Sequence, residues 1–184
     1  MAAADTHAGA QVWDPLVRIG HWALVLSIAL AWLTRSGGGV WHEWIGYASL
    51  ALIVFRIAGG WTGSCYARFA QFVRSPAATL RYALLVIAHR EPRYLGHNPL
   101  GGWMVLALLV NVALVGISGW LFTTDAWWGD ERMENIHNAF AISLLALVAI
   151  HVTGVVVISL RHRENLVAAM LHGRKRPPAE GDIT

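Results

Sequence analysis

The sequence predicts an all-α protein, a four-helix bundle embedded in a membrane. Three observations carry this. The 184-residue chain is 56% hydrophobic and only 14% charged, whereas a soluble domain carries about a quarter charged residues. Its apolar residues gather in four stretches, 16–33, 40–60, 100–122 and 136–160, each long enough to cross the bilayer core as a helix. The Lys and Arg residues, 14 in all, keep to the connections and to the ends of those stretches. The length suits a single membrane domain, 1–184.

The elements follow in order. Asp14-Pro15 is a helix start, with Asp as N-cap and Pro at the first helical position. It opens the first span. That span has no small-residue cleavage site at its end, and no basic residue precedes Gln11, so it is expected to stay as a span rather than be removed as a signal peptide. Gly37-Gly38-Gly39 makes a turn into the second span. The connection 61–98 contains a second cap and first turn at Ser75-Pro76, opening an apolar segment from Ala77 to His89. That segment is too short to span and carries Arg81, which fits a helix lying in the interface. Asn98-Pro99 ends the connection, and the third span follows from about Leu100. The tail, 161–184, shows a short helical pattern through Leu171 and is expected to fray over 173–178.

Four spans put both termini on one side. Arg35 and Arg132 lie beside the first and third turns, and the other twelve of the 14 basic residues fall on the opposite side. The positive-inside bias then places both termini and the 61–98 loop in the cytoplasm. The 10 tryptophans gather near the two interfaces, as aromatic belts do. The net charge of +3 is therefore a topology signal, and no nucleic-acid partner is expected. The single cysteine, Cys65, excludes an internal disulfide, a covalent haem-attachment motif, an iron–sulfur cluster and a cysteine zinc site.

Four of the nine histidines, His21, His42, His137 and His151, sit in or at the mouth of these spans. An ionisable side chain there is costly and by default functional. The first span runs inside to outside and places His21 near its inner end. The second and fourth run the other way, so His42 and His137 lie near the outer end. His151 is fourteen residues beyond His137, which is about 21 Å deeper at the helical rise. The histidines thus form two levels, His42 with His137 outside and His21 with His151 inside. Fourteen residues at about 100° each also return to within about 40° of the start, so His137 and His151 share one face. Facing side chains in a bundle interior are where cofactors are held. Two imidazoles per level are the axial ligand set of a haem iron. The expectation is a bundle with two haems stacked across the bilayer, held without covalent bonds. A lone histidine near a helix end is more often an interfacial side chain, and the matching of four in depth and phase is what favours ligation. A histidine-lined metal path is disfavoured, because the histidines form two separated levels rather than a path.

Further candidates are Arg18, one turn before His21, and Arg56, at the inner end of the second span. A guanidinium offers a forked donor pair to a haem propionate; simple interfacial anchoring is the alternative. His97 sits where the loop re-enters the membrane. It is a candidate for a propionate or a quinone carbonyl, or is a loop-to-helix cap. Gly46 and Gly154 lie beside ligand positions and leave room either for a flat macrocycle or for helix contact. Asn111 and Ser118, in the span without histidine, are expected to support packing. His7, His89, His162 and His172 are surface-like.

In combination these segments resemble the bacterial cytochrome b561 family, related to the b-type cytochrome subunits of nickel–iron hydrogenases. The resemblance rests on 12–22 (VWDPLVRIGHW), 41–47 (WHEWIGY), 96–102 (GHNPLGG), 136–138 (IHN), the mid-span His151, 162–170 (HRENLVAAM) and 173–176 (GRKR). It implies four transmembrane helices, two haem b groups with His21, His42, His137 and His151 as ligands, and exchange with ubiquinone or menaquinone. The chain is short for a hydrogenase subunit, which favours the stand-alone branch.

An electron carrier needs a donor and an acceptor. The turn between the third and fourth spans holds Asp125, Asp130, Glu131 and Glu134, with Glu43 and the Trp127-Trp128 pair nearby. Such a surface suits a basic periplasmic c-type cytochrome or redox enzyme steered by charge, or is a solvated turn. The function expected is a relay between a periplasmic redox partner and the quinone pool. Two alternatives are a quinone-reducing oxidase of superoxide, which some relatives imply, and a membrane-anchor subunit of a periplasmic redox enzyme.

Overall fold

A computed structural model describes residues 9–184; His7 lies outside the described residues. A two-residue strand β1 (Ala10–Gln11) precedes helix α1 (Pro15–Thr34). The Asp14 carboxylate accepts a hydrogen bond from the Val17 amide at 2.9 Å, and Pro15 fills a position where no amide hydrogen is needed. The turn to α2 (Val40–Thr62) uses Gly37 and Gly39 at φ of 122° and 46°, a region glycine enters without strain. The long connection folds as a 3-10 turn (Cys65–Ala67), a short α3 (Phe69–Phe72) and α4 (Pro76–Ile87), the last capped by Ser75. Asn98 caps α5 (Pro99–Phe122), accepting from the Gly101 amide at 2.8 Å. Helices α6 (Glu131–Arg161) and α7 (Leu166–His172) and strand β2 (Arg174–Lys175) complete the chain.

Helices α1, α2, α5 and α6 are long and apolar enough to cross a membrane. Their outward faces leave Leu33, Val54 and Ile142 63–75% exposed. Such faces suit lipid, where the helix satisfies its own backbone and only side chains meet the hydrocarbon. Inside, α1 packs on α2, α2 on α5 and α5 on α6. Ile53, Leu109, Val112 and Leu144 form the core where α2, α5 and α6 meet. Two polar bonds tie neighbouring helices: Ser49 donates to Ser27 at 3.1 Å, and Asn111 donates to Ser143 at 2.6 Å. Helix α6 makes no extended packing against α1 or α2, and α5, which packs on both α2 and α6, sets the spacing between them.

Two expectations are corrected. Helix α6 starts at Glu131 rather than near 136, with Asp130 accepting from the Met133 amide at 2.9 Å. Glu131 and Glu134 therefore belong to its first turn, where the helix dipole favours acids, and His137 lies in the second turn. A charged first turn has no apolar periodicity, so it resembles a loop in the sequence.

The tail does not fray. Strand β2 pairs antiparallel with β1, and the Val12 and Trp13 amides donate to the Gly173 carbonyl at 2.9 and 3.1 Å. Ile183 bridges to Tyr94. At the centre Arg93, only 8% exposed, reaches Glu164 at 2.6 Å and also pairs with Asp182. Lys175, 7% exposed, donates to the Tyr94 carbonyl at 3.2 Å. Val12, Trp13 and Leu95 form a small apolar core beneath this network. Residues 10–13, the 91–97 loop and the tail from Glu164 thus close one end of the bundle as a folded cap.

This cap has a pH signature. Burial pushes the Glu164 and Asp182 carboxyls up, but the Arg93 guanidinium and backbone amides hold both below their usual range. Their contribution is present above ordinary carboxylate values and is lost as pH falls through the depressed folded values. Burial lowers the Lys175 ammonium to about 8 from 10.5, against the opposing pull of Glu164. The docked tail therefore releases that proton before the free tail does, and docking strengthens as pH rises from about 8 to 10.5. Hydrogen exchange at the β2 amides, corrected for the intrinsic pH dependence, should show protection falling in acid and rising across that alkaline window. The alkaline rise should vanish in Lys175→Met.

Candidate haem site

The site is built where α2 and α6, each packed on α5, approach without packing extensively on one another. His42, one turn into α2, and His137, in the second turn of α6, bring their rings to a centroid separation of 6.2 Å with planes at 85°. Each ring is held from behind by a neighbouring helix. The Nδ1 of His137 lies 3.1 Å from the Val115 carbonyl and 3.1 Å from the Ser118 hydroxyl, both on α5. The Nδ1 of His42 lies 3.1 Å from the Ala31 carbonyl and 3.3 Å from the Thr34 hydroxyl, both on α1. A carbonyl only accepts, so both Nδ1 atoms carry the hydrogen and both Nε2 atoms keep the lone pair that binds a metal.

The residues fit a haem on three counts. Two imidazoles bound end-on to opposite sides of one metal, at the usual metal–nitrogen distance of about 2.0–2.1 Å, put their ring centres about 6 Å apart. The donor set fits as well: among the described residues no three His, Cys, Asp or Glu side chains converge on a point, and two imidazoles suffice only for a metal whose equatorial ligands come from its own macrocycle. The flanks are also open. A Cβ built on Gly46 or Gly154 meets no atom within 4 Å, which removes close helix contact as the reason for glycine there.

Gly119 is different. A Cβ there would stand 3.0 Å from Cε1 and 3.3 Å from Nδ1 of His137. A ring held to α5 on one side and to a bound haem on the other could not yield the needed few tenths of an ångström. Gly119→Ala should therefore lower haem occupancy at this site and broaden its absorption band; titration of the purified protein with haem measures this.

At the other end, His151 lies close enough to His21 to act on it electrostatically. The Nδ1 of His21 is buried with no partner among the described residues, and its ring stands edge-on to Trp22 at 5.1 Å. His97 packs between Trp13 and Phe72, at 4.8 and 4.7 Å. Burial, then the charges of Arg56 and Lys175 and the neighbouring His151 and His21, lowers its imidazole to about 3, so it is neutral at physiological pH. Its Nδ1 is buried and unpartnered among the described residues. The capping alternative for His97 is overturned, because Asn98 is the cap. Arg18 donates to the Leu171 carbonyl at 2.6 Å and so anchors α7. Arg56 donates to the Ala67 carbonyl at 3.2 Å and lies over Phe69.

Sequence reasoning passed over Thr34 and treated Ser118 as packing support. Thr34 could have been found, since the tight glycine turn sets 34 and 42 opposite each other at one depth. Ser118 could not, because its approach to His137 depends on how α5 and α6 pack.

A family model described as prokaryotic cytochrome b561 matches residues 12–173. No curated protein and no solved structure matches the chain. With four membrane-crossing helices and a histidine pair set for a haem, the chain belongs to the prokaryotic cytochrome b561 family and is a membrane b-type cytochrome of electron transfer.

Proposed function

We propose that the chain binds two haem b groups, one between His42 and His137 and one between His21 and His151, and relays electrons between a periplasmic redox partner and the membrane quinone pool. The observation that carries this reading is the approach of His42 and His137 at 6.2 Å, each with Nδ1 committed to a carbonyl. When bound, haem would supply an iron that can gain or lose one electron, held at each level by that level's two histidines. The protein's part is to hold and to exclude. The carbonyls of Ala31 and Val115 orient the two imidazoles. The apolar walls of α1, α2, α5 and α6 keep water away. Continuity of α6 from Glu131 to Arg161 sets the two levels about 21 Å apart along its axis.

The basic bias supports a cytoplasmic location for the capped end and both termini, in a membrane that the family suggests is a bacterial inner membrane. Arg18, Arg56 and His97 sit at that end as partners for propionates or for a ubiquinone or menaquinone carbonyl. Trp128, 72% exposed, and the acids at the start of α6 offer the opposite end to a periplasmic c-type cytochrome or redox enzyme. A dithionite-reduced minus oxidised spectrum with a pyridine haemochrome count tests the reading. Two haem b per chain are expected, and well-folded protein without haem overturns it.

A further inference from the structure

The two histidine levels are held in different ways. At the level of the turns, both rings meet the same device: a backbone carbonyl, and the hydroxyl of the residue three positions later on the same helix. For His137 these are Val115 and Ser118; for His42 they are Ala31 and Thr34. The hydroxyl hydrogens are already spent. Ser118 donates to the Val115 carbonyl at 3.0 Å, and Thr34 donates to the Leu30 carbonyl at 2.8 Å. Each hydroxyl oxygen therefore turns a lone pair to the imidazole, and each Nδ1–H is shared between two acceptors. At the capped level the Nδ1 of His21 has no acceptor among the described residues.

An acceptor on one ring nitrogen makes the other a stronger electron donor, which favours the oxidised metal. The surrounding charges act in the same direction. Glu43 follows His42 directly, and Asp130, Glu131 and Glu134 begin the helix that carries His137. At the other level Arg56 and Lys175 lie near His97, which itself neighbours His21 and His151. Negative charge favours the oxidised iron and positive charge the reduced one.

We propose that Thr34 and Ser118 are positioning residues of the His42–His137 site, which lock its imidazoles with hydrogen on Nδ1 and hold the haem there at a lower potential than the haem between His21 and His151. This rests on the two-haem reading. The lower-potential site then lies at the end away from the cap, and an electron entering there moves downhill toward the capped end.

The test is a spectroelectrochemical titration of the purified holoprotein, begun with a haemochrome count. A count of one haem per chain overturns both the two-haem reading and this proposal. With two haems present, Ser118→Ala is expected to raise the lower of two midpoint potentials and leave the upper unmoved. The Val115 carbonyl still holds the ring in that variant, so folding and ligation are retained. Ser118→Thr keeps the hydroxyl and should restore the wild-type value. Thr34→Val acts from a different helix on the same site and should move the same component. His137→Ala should remove that component. No shift in Ser118→Ala, shifts of different components by the Ser118 and Thr34 variants, or loss of the upper component in His137→Ala would each overturn the proposal while leaving the two-haem reading intact.

Discussion

Replacing His137 by Ala is expected to reduce the haem content from two per chain to one and to leave the remaining haem spectrally intact. In the proposed site the imidazole would supply one of only two protein bonds to the iron, and its partner His42 is fixed in place by α1 and cannot shift to compensate. Loss of an outer-shell hydrogen bond alone costs a metal site about 10–100-fold in affinity, and loss of the ligand costs more. The second level is spared because α6 is continuous from Glu131 to Arg161, so His151 stands about 21 Å further along its axis. His42→Ala should give the same result from the other side of the site. The haemochrome count and the reduced-minus-oxidised band shape decide the matter. Loss of both haems would mean that the two levels are not independent.

Arg93→Ala should release the tail. Arg93 is buried, reaches Glu164 through Nη2 at 2.6 Å and Nε at 3.3 Å, pairs with Asp182, and donates to the Arg176 carbonyl at 3.0 Å. Its removal leaves two carboxylates without their main counter-charge. Deleting one partner of a buried ion pair typically costs about 3–5 kcal/mol, enough to unpair β1 from β2. Limited proteolysis should then cut within the 173–184 segment of the variant and not of the wild type, with a lower thermal midpoint for the cap. Arg93→Lys should rescue little, because a point charge cannot make the forked contact. Wild-type protease resistance in Arg93→Ala would show that the strands and the small apolar core hold the tail unaided.

What could be read ahead of the structure was local. Asp14-Pro15 and Ser75-Pro76 each mark a helix start at the residue observed, because a cap and its amide lie within one turn. The start of α6 was displaced because Asp130 precedes Glu131, Arg132 and Glu134 rather than an apolar repeat. The order of the cap was invisible for another reason. Glu164 and Arg93 are 71 residues apart, and Arg93 and Asp182 are 89 apart. No short-range pattern encodes those pairs.

By itself the sequence determined the membrane class, the four helices, the two levels of histidine and the resemblance to a cytochrome b family. These follow from quantities that add along the chain: hydropathy, rise per residue, helical phase and the count of basic residues. The tertiary structure alone decided that α5 packs between α2 and α6, that Ser118 stands behind the His137 imidazole, and that residues 10–13, the 91–97 loop and the tail close into a charged, buried cap. Each of these depends on which helix faces lie against one another in space, and that is set by the packing of many side chains at once rather than by any one segment.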